Sequence, residues 1–288
     1  MLCHTAGFVY DTSSPLLHEW SKYHGRKAHT FCGSIAGYEL PLLFQPGTAW
    51  AYGAGLDWAG KLIEHVTGST LGDYMQDNIW SKLGATSTTF HPEKRPDSLP
   101  PLLAMGNRKS VGQGVKSVSQ GDIILESPVQ DDLGGIGLYS TPTDFMKLLT
   151  ALLQGGGPLL SNASVDLLFS PQLSEITRTA MPKLLGKQMR RLLGIKDVND
   201  VDQADHCLGG TVTLKDIPGR RTRETVNWSG LPNLHWWVDR KTGVAAALFT
   251  QLLPLGDAAV TDLTIELEKA LYRNIRLQRG HLNGNARL

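Results

Sequence analysis

Cysteine is scarce in this sequence: Cys3, Cys32 and Cys207 are the only three among 288 residues. An odd, sparse set gives no disulfide framework, and no Cys-x-x-Cys pair offers a zinc site. Charge of one sign is not in excess either. The 28 Lys and Arg stand against 27 Asp and Glu, which argues against the basic footprint that nucleic-acid binding needs. No apolar run approaches the roughly 20 residues of a membrane span. The opening Met1-Leu2-Cys3-His4-Thr5-Ala6-Gly7 lacks the basic-then-apolar order of a signal peptide. With 41% hydrophobic and 19% charged residues, the chain has the composition of an ordinary globular protein with a sizeable core.

Several catalytic signatures are also missing. The nucleophile elbow Gly-x-Ser-x-Gly does not occur. His18-Glu19 begins a zinc-protease pattern, but Lys22 stands where the second His is required. There is no Walker loop. Gly135-Ile136-Gly137-Leu138-Tyr139-Ser140 is an imperfect dinucleotide fingerprint with no clear buried strand before it, and reads better as a structural glycine turn. Asn162 and Asn227 each begin an Asn-x-Ser sequon, a weak signal for a glycan.

What is present is a run of helix signals followed by strand signals. The first forty residues read as loop-rich. Leu56, Ala59, Ile63 and Val66 recur at helical spacing and stop at Gly68. Thr70 to Asp73 reads as a capping box for a second helix, which Gly84 ends. Residues 87–130 suggest short strands and loops, with the polar, Gly-rich stretch 106–121 the most mobile. Thr141-Pro142-Thr143-Asp144 starts another helix, and one more is expected over 163–169. Strand patterns follow over 211–215, 222–228, 234–238 and 244–251. Asp257 then caps a last helix, and the basic tail after Arg273 is expected to fray. This order predicts an α+β arrangement with a helix packed on an antiparallel sheet.

Four segments, in order, carry a family resemblance. They are His4-Thr5-Ala6-Gly7-Phe8, Pro46-Gly47-Thr48-Ala49-Trp50-Ala51-Tyr52, Gly134 to Thr141 with Asp144, and Trp228-Ser229-Gly230 followed by Asn233 to Asp239. Together they resemble the serine β-lactamase and penicillin-binding-protein superfamily, in its class C-like esterase and transesterase branch. Within that branch the chain is similar to the fungal type that includes the lovastatin side-chain acyltransferase. The resemblance spans the whole chain. It implies a β-lactamase/transpeptidase-like α+β fold: an antiparallel sheet flanked by helices, with a mostly helical lobe. On this reading 1–288 is a single β-lactamase-related domain, incomplete at its N-terminus, with a helical lobe over 40–170 and a sheet lobe with the C-terminal helix over 205–275.

The family's site has three parts. A Ser-x-x-Lys places nucleophile and base one helical turn apart, so that the amine can take the Ser proton. A Tyr relays that proton to the leaving group. A third motif on a sheet edge lends a backbone N–H to the oxyanion hole. By resemblance, Tyr52 is the relay. Ala54 stands where lactamases carry Asn, which favours an esterase or transesterase. Trp228, Ser229 and Gly230 match the third motif, with Ser in place of the middle Gly, and the Leu231 N–H is the implied oxyanion donor. No Ser in the chain has Lys three residues later, so the nucleophile is expected to fall before Met1. The implied activity is serine-type hydrolysis or transesterification of a small-molecule ester, thioester or lactam, with no metal or organic cofactor. The alternative is a non-catalytic remnant or binding protein that keeps the cleft. His4 and His235 read as structural, and Lys241-Thr242-Gly243, a literal lactamase third motif, reads as a hairpin turn.

Overall fold

A computed structural model describes residues 1–95, 97–111, 115–120 and 124–285. Most of its helices begin on a short polar cap whose oxygen takes an otherwise unpaired backbone N–H. Ser14 caps α1 (Pro15–Tyr23), a helix in a stretch expected to be loop. Helix α2 (Gly55–Thr67) closes on Gly68, whose φ of 71° suits a residue without Cβ. Thr70 accepts from the Asp73 N–H at 3.1 Å and starts α3 (Leu71–Met75). That helix continues through a π turn, Gln76–Trp80, into α4 (Ser81–Leu83). Thr141 starts α5 (Pro142–Leu153) in the same way, accepting from the Asp144 N–H at 3.2 Å. Then come α6 (Asn162–Phe169), α7 (Glu175–Leu184) and α8 (Lys187–Leu193). Asp257 accepts from the Val260 N–H at 2.9 Å and opens α9 (Ala258–Asn285), which runs on through the tail expected to fray.

The Gly-rich stretch supplies β1 (Gly106–Val111) and β2 (Val115–Gln120), which pair antiparallel. Residues 112–114 and 121 of that stretch, whose mobility was expected, lie outside the described residues. The larger sheet holds β3 (Ala204–Cys207), β4 (Gly210–Thr213), β5 (Val226–Gly230), β6 (Leu234–Asp239) and β7 (Val244–Leu248). Its strands lie in chain order and every neighbouring pair is antiparallel. Strand β7 ends at Leu248, short of the 251 expected, and a separate short β8 (Leu252–Leu253) runs parallel to β1. Strand β5 begins four residues later than expected. The Thr222 N–H and hydroxyl donate to Asp239 at 3.0 and 2.8 Å, holding 222–225 as a turn.

Side chains alternate across a strand, so the sheet has two faces and both are covered. Val212, Val226, Val238 and Trp236 pack on one face against Leu149 of α5 and Val165 and Phe169 of α6. On the other, Trp237, Val244 and Ala246 meet Leu271, Tyr272 and Ile275 of α9. Helix α9 is also fixed by a buried ionic cluster. Glu268 accepts from Arg220 at 2.7 Å and from the Arg221 Nε at 2.8 Å. Burial pushes its carboxyl up, but Arg221 and Arg220 outweigh that and hold it below the usual range.

Asn233, in the left-handed region at φ 60°, knots three elements together. Its amide donates to the carbonyls of Leu252 and Pro254 at 2.6 and 2.9 Å. Its oxygen accepts from the N–H groups of Gly256 and Asp257 at 2.9 and 3.0 Å, just before α9. Asn227 is buried and bonded to Thr211, which removes it as a glycan site. Lys241-Thr242-Gly243 is the turn between β6 and β7, with Gly243 at φ 74° and Lys241 exposed.

Candidate functional site

Tyr52 lies in the loop that leads into α2. The next residue must be Gly: a Cβ on Gly53 would stand 2.1 Å from the Phe8 carbonyl oxygen and 2.5 Å from the Val9 Cα. The loop therefore lies flush on the 8–9 segment, and the Ala51 N–H bonds the His4 carbonyl at 3.0 Å. Tyr52 as a residue keeps 37% of its surface exposed. Its neighbours by ring centroid are His4 at 4.7 Å, Tyr10 at 5.4 Å and Trp228 at 5.5 Å. His4 stacks on Trp228 at 6.0 Å and meets His206 edge-on at 5.2 Å.

The electrostatics of this cluster favour neutral groups. Burial, and then the nearby His206, pull the His4 imidazole down to about 3; burial pulls His206 down to about 4. Both rings are therefore uncharged at neutral pH. Burial and the negative charge of Asp57 push the Tyr52 phenol up, and hydrogen bonding to Trp228 and Tyr10 offsets this only in part. Tyr52 is thus a protonated phenol on a partly exposed residue. Beneath it, fully buried Asp57 accepts the Tyr10 hydroxyl at 3.0 Å and the Gly135 N–H at 2.9 Å. A Cβ on Gly135 would stand 2.4 Å from that carboxylate. The glycine turn before α5 is thereby tied to α2.

Trp228, Ser229 and Gly230 end strand β5, and all three are half-buried. The backbone explains what that strand end offers. The Thr213 N–H bonds the Thr225 carbonyl, so residues 225, 227 and 229 present their N–H and C=O towards β4. Pairing with β4 stops at Asn227. Beyond it Ser229 lies past the end of the β4 ladder. Leu231 lies one residue past the strand, in the turn 231–233.

The structure thus brings Tyr52 and Trp228 together, with Ser229, Gly230 and Leu231 following on the same chain segment. Reasoning from sequence missed the site positions of His4, His206, Tyr10 and Asp57. An Asp on the otherwise apolar first turn of α2 was the available signal for Asp57. Among the described residues, no group of three or more His, Cys, Asp or Glu is placed to hold a metal, and no helix is long and apolar enough to cross a membrane.

The chain as a whole is similar to several known proteins. Monacolin J acid methylbutanoyltransferase of Aspergillus terreus is 34% identical over 281 residues, covering 94% of this chain and 66% of the relative. Lovastatin esterase of Penicillium rubens is 32% identical over 286 residues, covering 97% and 70%. A mutant simvastatin synthase from Aspergillus terreus superposes with a TM-score of 0.82 at 33% identity, covering 96% of this chain and 65% of that one. The chain therefore spans about two thirds of the length of such relatives. The fold is that of the β-lactamases and transpeptidases. The beta-lactamase family model matches residues 1–270, and the chain belongs to that family.

Proposed function

We propose that this site serves serine-type acyl transfer, by hydrolysis or transesterification of a small-molecule ester, thioester or lactam. The contact between Tyr52 and Trp228 carries the reading. It sets a protonated phenol beside a strand end that runs past its β4 ladder. In this scheme Tyr52 relays the proton to the leaving group. Trp228 walls the acyl site, and backbone at Ser229, Gly230 and Leu231 polarises the carbonyl. The division into a helical lobe over 40–170 and a sheet lobe over 205–275 belongs to the same proposal, with the site between them. The activities of the relatives, methylbutanoyl transfer to monacolin J acid and hydrolysis of a lovastatin ester, support esters of that size as substrates.

The 288 residues hold no Ser-x-x-Lys, which favours a second reading for the chain by itself: a cleft that binds acyl compounds without turning them over. One experiment separates the two. The chain alone should hydrolyse a nitrophenyl ester no faster than buffer, because loss of the nucleophile in a comparable serine enzyme costs on the order of a millionfold. Fused behind an upstream segment that supplies a Ser-x-x-Lys, it should gain saturable turnover that Tyr52→Phe removes. A folded fusion that takes up a serine-directed phosphonate yet never turns over would establish the binding reading instead.

A further inference from the structure

Tyr52 is not the only phenol in this part of the fold. Tyr10 and Tyr38 pack with Ala54 and Leu133 in one buried cluster. The Tyr38 hydroxyl is committed to the Thr30 carbonyl at 2.9 Å. The Tyr10 hydroxyl donates to Asp57 Oδ2 at 3.0 Å, and the Tyr10 ring meets the Tyr52 ring edge-on at 5.4 Å. Tyr10 therefore stands between a buried carboxylate and the phenol that the acyl-transfer reading uses.

That carboxylate is an expensive choice for packing alone. Asp57 is fully buried in the first turn of α2. The groups that hold it are the Gly135 and Ile136 N–H groups and the Tyr10 hydroxyl, all donors and none a cation. Burying a charge without a counter-charge costs far more than an apolar side chain of the same size. The carboxylate does, however, fix the place of the Tyr10 oxygen. On the far side of Tyr52 the Trp228 indole, which can only donate, hydrogen-bonds the phenol, and Tyr10 bonds it from below. Two donors thus flank one phenolic oxygen. When that oxygen gives its proton to a leaving group it gains negative charge. Hydrogen bonds to a charged oxygen are roughly twice as strong as neutral ones. A hydroxyl proton rotates to suit its acceptor, so Tyr10 can turn from Asp57 to Tyr52 at that moment.

We propose that Tyr10 is a positioning residue for Tyr52: anchored on Asp57, it holds the relay phenol in line and donates to its oxygen as the proton departs. The Tyr52 O–H bond breaks and its proton goes to the leaving group. No bond of Tyr10 breaks; its proton only changes acceptor. Tyr10 is 5% exposed and acts through Tyr52. The role rests on the acyl-transfer reading of Tyr52.

The test uses the whole chain with 3-fluorotyrosine placed at position 52, whose fluorine NMR signal reports the ionisation of that phenol alone. Tyr10→Phe keeps the ring and removes the donor. It should carry the midpoint of the Tyr52 titration upward by about half a pH unit or more. Asp57→Asn removes the facing negative charge and should carry the midpoint downward. His4, the other titratable ring against Tyr52, is held neutral by burial and does not contribute. A midpoint that Tyr10→Phe leaves in place, or lowers, would overturn the proposal. Because Tyr10→Phe strands the Asp57 carboxylate, the comparison is repeated in the Asp57→Asn background, where no buried charge is left unpaired. There Tyr10→Phe should again raise the midpoint, and an unmoved one would again overturn the proposal. The midpoint is read without turnover, so its outcome is separate from that of the ester assay on the fusion.

Discussion

The Tyr52 ring lies 5.5 Å from the Trp228 ring, centroid to centroid, and His4 is packed against both. A loop before α2 and the middle strand of the sheet thus share one aromatic surface. Removing only the phenolic oxygen separates chemistry from packing. In a fusion that carries a Ser-x-x-Lys, Tyr52→Phe should lower kcat/KM by about 10²–10⁴-fold, the usual worth of a proton-transfer group. The unfolding free energy should fall by about 1 kcal/mol at most. Turnover that survives the substitution would remove Tyr52 from the mechanism.

Three buried imidazoles predict how stability depends on pH. Burial lowers His4 to about 3 and His206 to about 4; burial and the neighbouring Arg221 lower His235 to about 4. Each folded value lies below the ordinary 6.5, so between them the unfolded chain binds more protons than the folded one. Stability should rise with pH across that window and fall on acidification. Asp57 acts oppositely. Burial raises its carboxyl, so its contribution is present at low pH and lost as pH rises through the raised value. Urea midpoints between pH 4.5 and 7 measure the sum. His206→Gln should flatten the slope by up to one proton; an unchanged slope would mean that His206 is not buried neutral.

Gly53 and Lys241 make a contrasting pair. Gly53→Ala puts a methyl group 2.1 Å from the Phe8 carbonyl oxygen. The backbone must move, at a cost of about 1–3 kcal/mol, the range for overpacking. Lys241→Ala alters an exposed turn and should stay within about 0.5 kcal/mol. It should also leave ester turnover of the fusion untouched. Chemical denaturation and a nitrophenyl-ester assay check both. Loss of turnover in Lys241→Ala would show that the wrong segment has been read as the third motif.

Strand β7 ends the larger sheet, so its outer backbone edge has no strand partner among the described residues. Its sequence, Val-Ala-Ala-Ala-Leu, carries none of the charges that usually protect an edge. On α9, Leu263 and Leu267 are 48% and 47% exposed, one helical turn apart. The chain should therefore bind a hydrophobic dye and self-associate with rising concentration. Leu263→Lys with Leu267→Lys should reduce both without lowering Tm by more than a degree or two. A dye-silent monomer at high concentration would contradict this.

Helix starts were legible where a cap stands before a clear apolar stripe, as at Thr70, Thr141 and Asp257; the Ser14 and Ser174 caps of α1 and α7 lack such a stripe and were passed over. The side-chain oxygens of the first three bond the expected N–H groups. Helices α1, α7 and α8 were missed because local signals conflict there. Helix α7 contains Pro182, and α8 is a short basic segment that reads as surface. The late start of β5 was hidden because Asp239, distant in sequence, takes the Thr222 N–H. The site was legible only through motif resemblance, which pointed to Tyr52 and Trp228 but said nothing of what lies beneath them. Asp57 under Tyr10 is a three-dimensional relationship, and its spacing in sequence follows no rule.

Asn233 has a mechanical consequence. Helix α9 has 28 residues and so is about 42 Å long. One side chain bonds the two residues that precede it, Gly256 and Asp257, to the bend that follows Ser229 and Gly230. Further along, Glu268 and Tyr272 fasten the same helix to Arg220, Arg221 and Asp239. The helix is thus a splint bound to the sheet at two places, and the turn that carries Leu231 is braced from behind at one of them.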